Sequence, residues 1–168
     1  MMQIKNTKDI VEAQGGIYNP IGITITHGET DQINGNGSSY QSYLNQWQYD
    51  YETDVRAILN NNTIDFPMFI SQMNTNSNGS VAAAQFAASK NNSKIILIGP
   101  KYHLNYSFDS LHLTNVSSKY LGEMYGKVIK RVAIDKLAWK PLQPNSIIRT
   151  GNIITIDFDV PTPPILID

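Results

Sequence analysis

An α/β fold, a parallel sheet layered between helices on both faces, is what this sequence predicts, and three observations carry it. Short apolar runs rich in β-branched residues recur at wide spacing: "IGITIT" at 21–26, "FPMFISQ" at 66–72 and "KIILIGP" at 94–100. Continuous runs of this kind suit strands covered on both faces. The stretches between them carry helical periodicity, and strands that alternate with helices pair in parallel through crossovers. Each run also ends in a polar loop, which is where such folds collect functional residues.

The elements follow in order. Ile4 to Gln14 forms a short helix that Gly15-Gly16 stops. The first strand, 21–26, ends at His27-Gly28, and "NGNGSS" at 34–39 is a loop. From Tyr40 to Leu59, Tyr43, Leu44, Trp47, Tyr51, Val55 and Ile58 recur at three- and four-residue steps, the mark of an amphipathic helix. The second strand, 66–72, is followed by the loop "NTNSNGS" (74–80) and an alanine-rich helix from Val81 to Ser89. The third strand leads into irregular chain, "KYHLNYSFDSLH". Thr114 then caps a helix running to about Ile134, with Val116, Tyr120, Met124, Val128 and Val132 on its inner face. Beyond "KPLQPNS" the pattern alternates around Thr150-Gly151-Asn152, which is a hairpin signal. The chain therefore divides into 1–140, an α/β unit, and 141–168, a β-rich extension or the start of a second domain.

Composition narrows the function. A chain of 168 residues with 41% hydrophobic content is one domain's worth, enough to bury a core. Only 16% of residues are charged and the net charge is −1, which argues against nucleic acid or an anionic membrane as the main partner. Lys127, Lys130 and Arg131 read as one solvated helix face. The absence of cysteine excludes disulfides, thiol catalysis and Cys-ligated metal. No stretch has the length of a membrane span, and "MMQIKNTKDIVEAQGG" lacks the apolar region of a signal peptide.

Two stretches carry candidate chemistry. "HGETD" (27–31) places a glycine at a strand end, where backbone can approach a ligand and donate its N–H, beside His27, Glu29 and Asp31. "FDSLHLT" (108–114) sets Asp109 three residues before His112. That spacing lets a carboxylate hold one imidazole nitrogen while the other faces a substrate. Plain polar loops account for both stretches equally simply. A third reading makes His27, Glu29 and Asp31, with His103, the ligands of a metal-dependent hydrolase.

A buried strand ending in His27-Gly28-Glu29-x-Asp31, two further βα units, and Asp109-x-x-His112-Leu113-Thr114 opening the last helix resemble the SGNH hydrolases, closest to their sialate O-acetylesterase and acetylxylan-esterase-like branch. The resemblance runs from the first helix to about Ile134. It implies a flavodoxin-like three-layer fold, His112 as general base and Asp109 as its orienting carboxylate. It places His27 where the family has a Gln or Asn that serves the oxyanion hole, with Gly28, Glu29 and Asp31 completing that block. The family's nucleophilic serine, in a Gly-x-Ser element after its first strand, has no counterpart here, and Ser38, Ser39, Ser77 and Ser80 all lie outside that context.

The resemblance thus implies an α/β domain without its N-terminal strands, in which "IGITIT" lies at a bare sheet edge. Such an edge invites a second chain or self-association. The expected function is a carbohydrate O-acetylesterase acting by serine acyl transfer on an acetylated polysaccharide or sugar ester, with no metal or organic cofactor. An extracellular or virion setting goes with such substrates. The rival reading is a non-catalytic SGNH-like module that binds glycan or builds an assembly such as a bacteriophage tail appendage.

Overall fold

The computed structural model describes residues 2–74 and 79–165. Its elements are α1 (Met2–Ala13), β1 (Ile23–Ile25), α2 (Glu29–Ile33), α3 (Gly37–Leu59), β2 (Met68–Gln72), α4 (Ser80–Asn91), β3 (Ile95–Pro100), α5 (Asn115–Ile129), β4 (Gln143–Thr150) and β5 (Ile153–Asp159). A π-helical turn, Lys130–Ile134, extends α5. Strands β1, β2 and β3 form one parallel sheet in that order, and β4 and β5 pair antiparallel in a second. The α/β class read from the apolar runs is therefore present.

The sheet is covered on both faces, and the two-residue period of the strands assigns the sides. Met68, Ile70, Ile95 and Leu97 point into one core with Tyr40 and Leu44 of α3 and Val81, Ala84 and Ala88 of α4. Phe69 and Ile98 point the other way, against Leu121, Tyr125 and Val128 of α5. The inner face of α5 differs from the expected one. Val116 is 61% and Tyr120 51% exposed, while Ser117, Leu121, Tyr125 and Val128 are buried. Tyr43, expected inward on α3, is likewise exposed, and Tyr40, Gln48 and Glu52 are buried there instead.

The first strand is shorter than the apolar run suggests. Gly22 sits at φ 151°, and a Cβ there would meet the Pro67 carbonyl at 2.7 Å, so pairing begins only at Ile23. Among the described residues β1 pairs with β2 alone. The Ile23 N–H donates to Pro67, so the peptide groups of Thr24 face the open side. The expected loop "HGETD" turns into α2 after Gly28, with Glu29 and Asp31 in the first turn, where the helix dipole favours acids. The loop at 34–39 is cut short because α3 begins at Gly37. Most of the expected loop 74–80, including Ser77, lies outside the described residues. No helix among the described residues is long and apolar enough to cross a membrane.

Candidate active site

The loop between β3 and α5 is built by short-range hydrogen bonds. Leu104 N–H donates to Lys101 (3.0 Å), Ser107 N–H to His112 (2.7 Å) and Thr114 N–H to Asn105 (3.1 Å). Thr114 then accepts the Ser117 N–H and caps α5, as its position predicts. Within this frame one oxygen of Asp109 accepts the backbone N–H of Leu111 and of His112, each at 3.0 Å. The other lies 2.6 Å from His112 Nδ1. The His112 contact first, then the two backbone donors, hold the Asp109 carboxyl at about 2. A carboxylate at Nδ1 favours the tautomer with the proton there and leaves Nε2 with its lone pair. The imidazole is 76% exposed, so Nε2 is open to a reactant.

His112 borders a cavity of about 560 Å³ between the open edge of β1 and α5. Thr24 and Thr26 line it from β1 and its end, Ser118, Leu121 and Tyr125 from α5, and Glu29 and Lys101 from below. Tyr125 donates its hydroxyl to the Ile25 carbonyl at 2.6 Å and stands 3.0 Å from Thr26 Oγ1, which ties α5 to this edge. Lys101 is buried, and its ammonium meets Glu29 at 2.5 Å. Glu29 therefore neutralises a buried lysine. A second cavity of about 260 Å³ shares Glu29 and Leu111 with the first and is lined also by Met73, Asn74, Tyr106 and Ser110. Ser110 takes φ 56°, a left-handed conformation uncommon outside glycine. Burial, then the charge of Glu29, pushes the Tyr106 hydroxyl up.

Thr30 of the "HGETD" block lines the His112 cavity beside Glu29, whereas His27, Gly28 and Asp31 face elsewhere. His27 Nδ1 lies 3.0 Å from the Tyr40 hydroxyl, its ring stacks on Tyr40, and Trp47 meets it edge-on at 5.3 Å. His27 lines neither cavity beside His112. Gly28 is buried at φ 132°, and a Cβ would lie 2.8 Å from Val81 Cγ1, so packing against α4 demands glycine. Asp31 accepts the Asn36 amide at 3.0 Å and approaches His27 at 3.5 Å.

The metal reading does not survive this placement. Among the described residues no group of three or more His, Asp or Glu side chains could hold a metal ion. Glu29 is taken by Lys101, and His103 packs edge-on to Tyr102. Of the loop serines, Ser38 and Ser39 open α3 and Ser80 opens α4 beside Gln32, none of them lining the cavity with His112. Ser118 does line it, from the first turn of α5. Its signal in the sequence was its place one turn past the Thr114 cap, close after His112. Lys101 and Tyr125 gave no local signal, since their partners are 72 and 100 positions away.

No protein-family model, curated protein or solved structure matches this chain.

Proposed function

We propose that the chain carries the acid–base half of a carbohydrate O-acetylesterase of the SGNH type, with a flavodoxin-like sheet that is completed at the open edge of β1. The observation that carries this reading is the Asp109–His112 pair at 2.6 Å, with Nε2 turned out beside a cavity. An exposed imidazole whose tautomer is set by an ionised carboxylate is what a general base needs. In the reaction Nε2 takes the proton of a serine hydroxyl as its oxygen adds to the acetyl carbonyl. Asp109 stays ionised and stabilises the imidazolium. The proton then passes to the sugar oxygen as the ester bond breaks, and water, activated by the same imidazole, releases acetate.

The nucleophile comes from one of two places. Ser118 borders the cavity already. Alternatively a strand from a second copy or another chain pairs on β1 and ends at the same rim, where Thr24 and Thr26 face the cavity. The substrate is an acetylated polysaccharide or sugar ester, and the setting is extracellular or on a virion.

The test is hydrolysis of 4-nitrophenyl acetate by the chain, His112→Ala and Ser118→Ala, with the acetyl adduct located by peptide mass spectrometry. The proposal expects a loss of about 10²–10⁴ in His112→Ala and an adduct on serine. Equal rates in wild type and His112→Ala would sink the reading in which this chain or a second copy of it supplies the serine. What would then stand is a serine from another chain or the rival, a non-catalytic glycan-binding or structural module. One observation favours that rival: among the described residues no serine hydroxyl is hydrogen-bonded to His112.

A further inference from the structure

Asp31 lies two positions on from Glu29 and therefore on the opposite side of α2. There it borders a separate cavity of about 320 Å³, lined also by Tyr40, Tyr43, Gln46, Trp47 and Asp50 of α3. Tyr43, Trp47 and Asp50 recur at four- and three-residue steps, so one stripe of the helix surface supplies two aromatic rings and a carboxylate. His27 packs against Tyr40 and Trp47 and comes within 3.5 Å of Asp31, without lining this space itself.

The polar accounting is distinctive. Asp31 accepts the Asn36 amide at 3.0 Å, and Asp50 accepts the Gln46 amide at 2.8 Å. Neutral amides orient both carboxylates and leave their charge in place. Among the described residues neither carboxylate has a Lys or Arg within ion-pair distance, and the basic group near them is His27, whose Nδ1 lies 3.5 Å from Asp31. No cationic side chain lines the cavity. Its walls thus combine two carboxylates, one of them 3.5 Å from His27, with three aromatic side chains, and its volume falls in the range of small-ligand pockets. Tyr43 is 48% exposed, so a helix has kept an aromatic ring in water beside these acids.

We propose that this cavity binds a small alkylated ammonium group. The carboxylates supply the counter-charge, and Tyr43 and Trp47 supply the surface over which N-alkyl groups are attracted and partly desolvated. A neutral polar ligand can hydrogen-bond the carboxylates but leaves their charge unbalanced, and a metal ion balances the charge but leaves the apolar ring surface uncovered. The proposal is independent of the chemistry assigned to His112.

The test uses the two tryptophan indole N–H signals of the labelled chain in a heteronuclear NMR titration. Trp139 donates its indole to the Leu97 carbonyl and serves as an internal reference. Choline is the probe, 3,3-dimethylbutan-1-ol its uncharged isostere and methyl glucoside a neutral sugar. The expected result is a saturable shift of Trp47 with choline, about 10-fold tighter than with the isostere. Asp50→Asn and Tyr43→Ala, both at exposed positions, should each weaken choline by about 5-fold or more. Ser118→Ala should leave it unchanged. The proposal fails if the isostere binds as well as choline, if methyl glucoside binds and choline does not, or if Trp47 does not respond to choline.

Discussion

Asp109 shows how much one residue can organise when all its partners are local. One carboxylate oxygen closes the turn by taking the N–H groups of Leu111 and His112, and the other orients the imidazole. These contacts favour the ionised form, so its carboxyl should titrate at about 2 rather than at its ordinary 3.8. The folded value is the lower one. The pair therefore contributes its full stabilisation above pH 3.8 and loses it as pH falls through about 2. A carboxyl-carbon NMR titration checks this, and a midpoint at or above 3.8 would mean that the bond to His112 is not formed in solution. Across the neutral range Asp109 stays charged, so any pH dependence of activity there belongs to another group. Because the motif spans only three residues, it was legible in the sequence. Glu29 was legible only as an acid in a loop, since its partner Lys101 is 72 positions away and nothing near either residue announces the pair. His27 was read toward the oxyanion, but the aromatic rings of α3 draw it aside.

At the scale of elements the same contrast between local and distant information decides what could be read. Apolar runs located all three parallel strands, because burial on both faces leaves a continuous signature. The rotation of α5 was harder. Val116, Tyr120, Met124, Val128 and Val132 are spaced by four, and each such step overshoots a full turn by about 40°. The stripe therefore drifts off the buried face at its N-terminal end, where Val116 and Tyr120 stand in solvent. The packed set, Ser117, Leu121, Tyr125 and Val128, closes with a three-residue step and stays on one side. Leu121 is 7% exposed against Phe69 and Tyr125. Leu121→Ala should cost about 2–4 kcal/mol, and Val116→Ala no more than about 0.5 kcal/mol, in urea unfolding of the two variants. A reversed ranking would place α5 on the sheet by the other face.

For the whole molecule the question is how the β4–β5 hairpin relates to the body. Its register places Ile147, Arg149, Ile154, Ile156 and Phe158 on one face and Ile148, Thr150, Ile153 and Thr155 on the other. Ile147, Ile148, Ile153 and Ile154 are each at least 60% exposed. Gln143 and Lys140 tie its base to Asp159. Neither hydrophobic core includes any residue beyond Trp139, whose indole is anchored on Leu97. A two-stranded hairpin is marginal alone, and this one adds little to the sheet it follows. Ending the chain after Leu142 should therefore shift Tm by no more than about 3 °C, since about 1 kcal/mol moves a domain of this size by 2–4 °C. The same truncation should lower the binding of a hydrophobic dye, because it removes a group of exposed isoleucines. A fall of about 10 °C or more would show instead that the hairpin packs on the body and belongs to its core. A small shift with unchanged dye binding would place the exposed apolar surface elsewhere, at the open edge of β1.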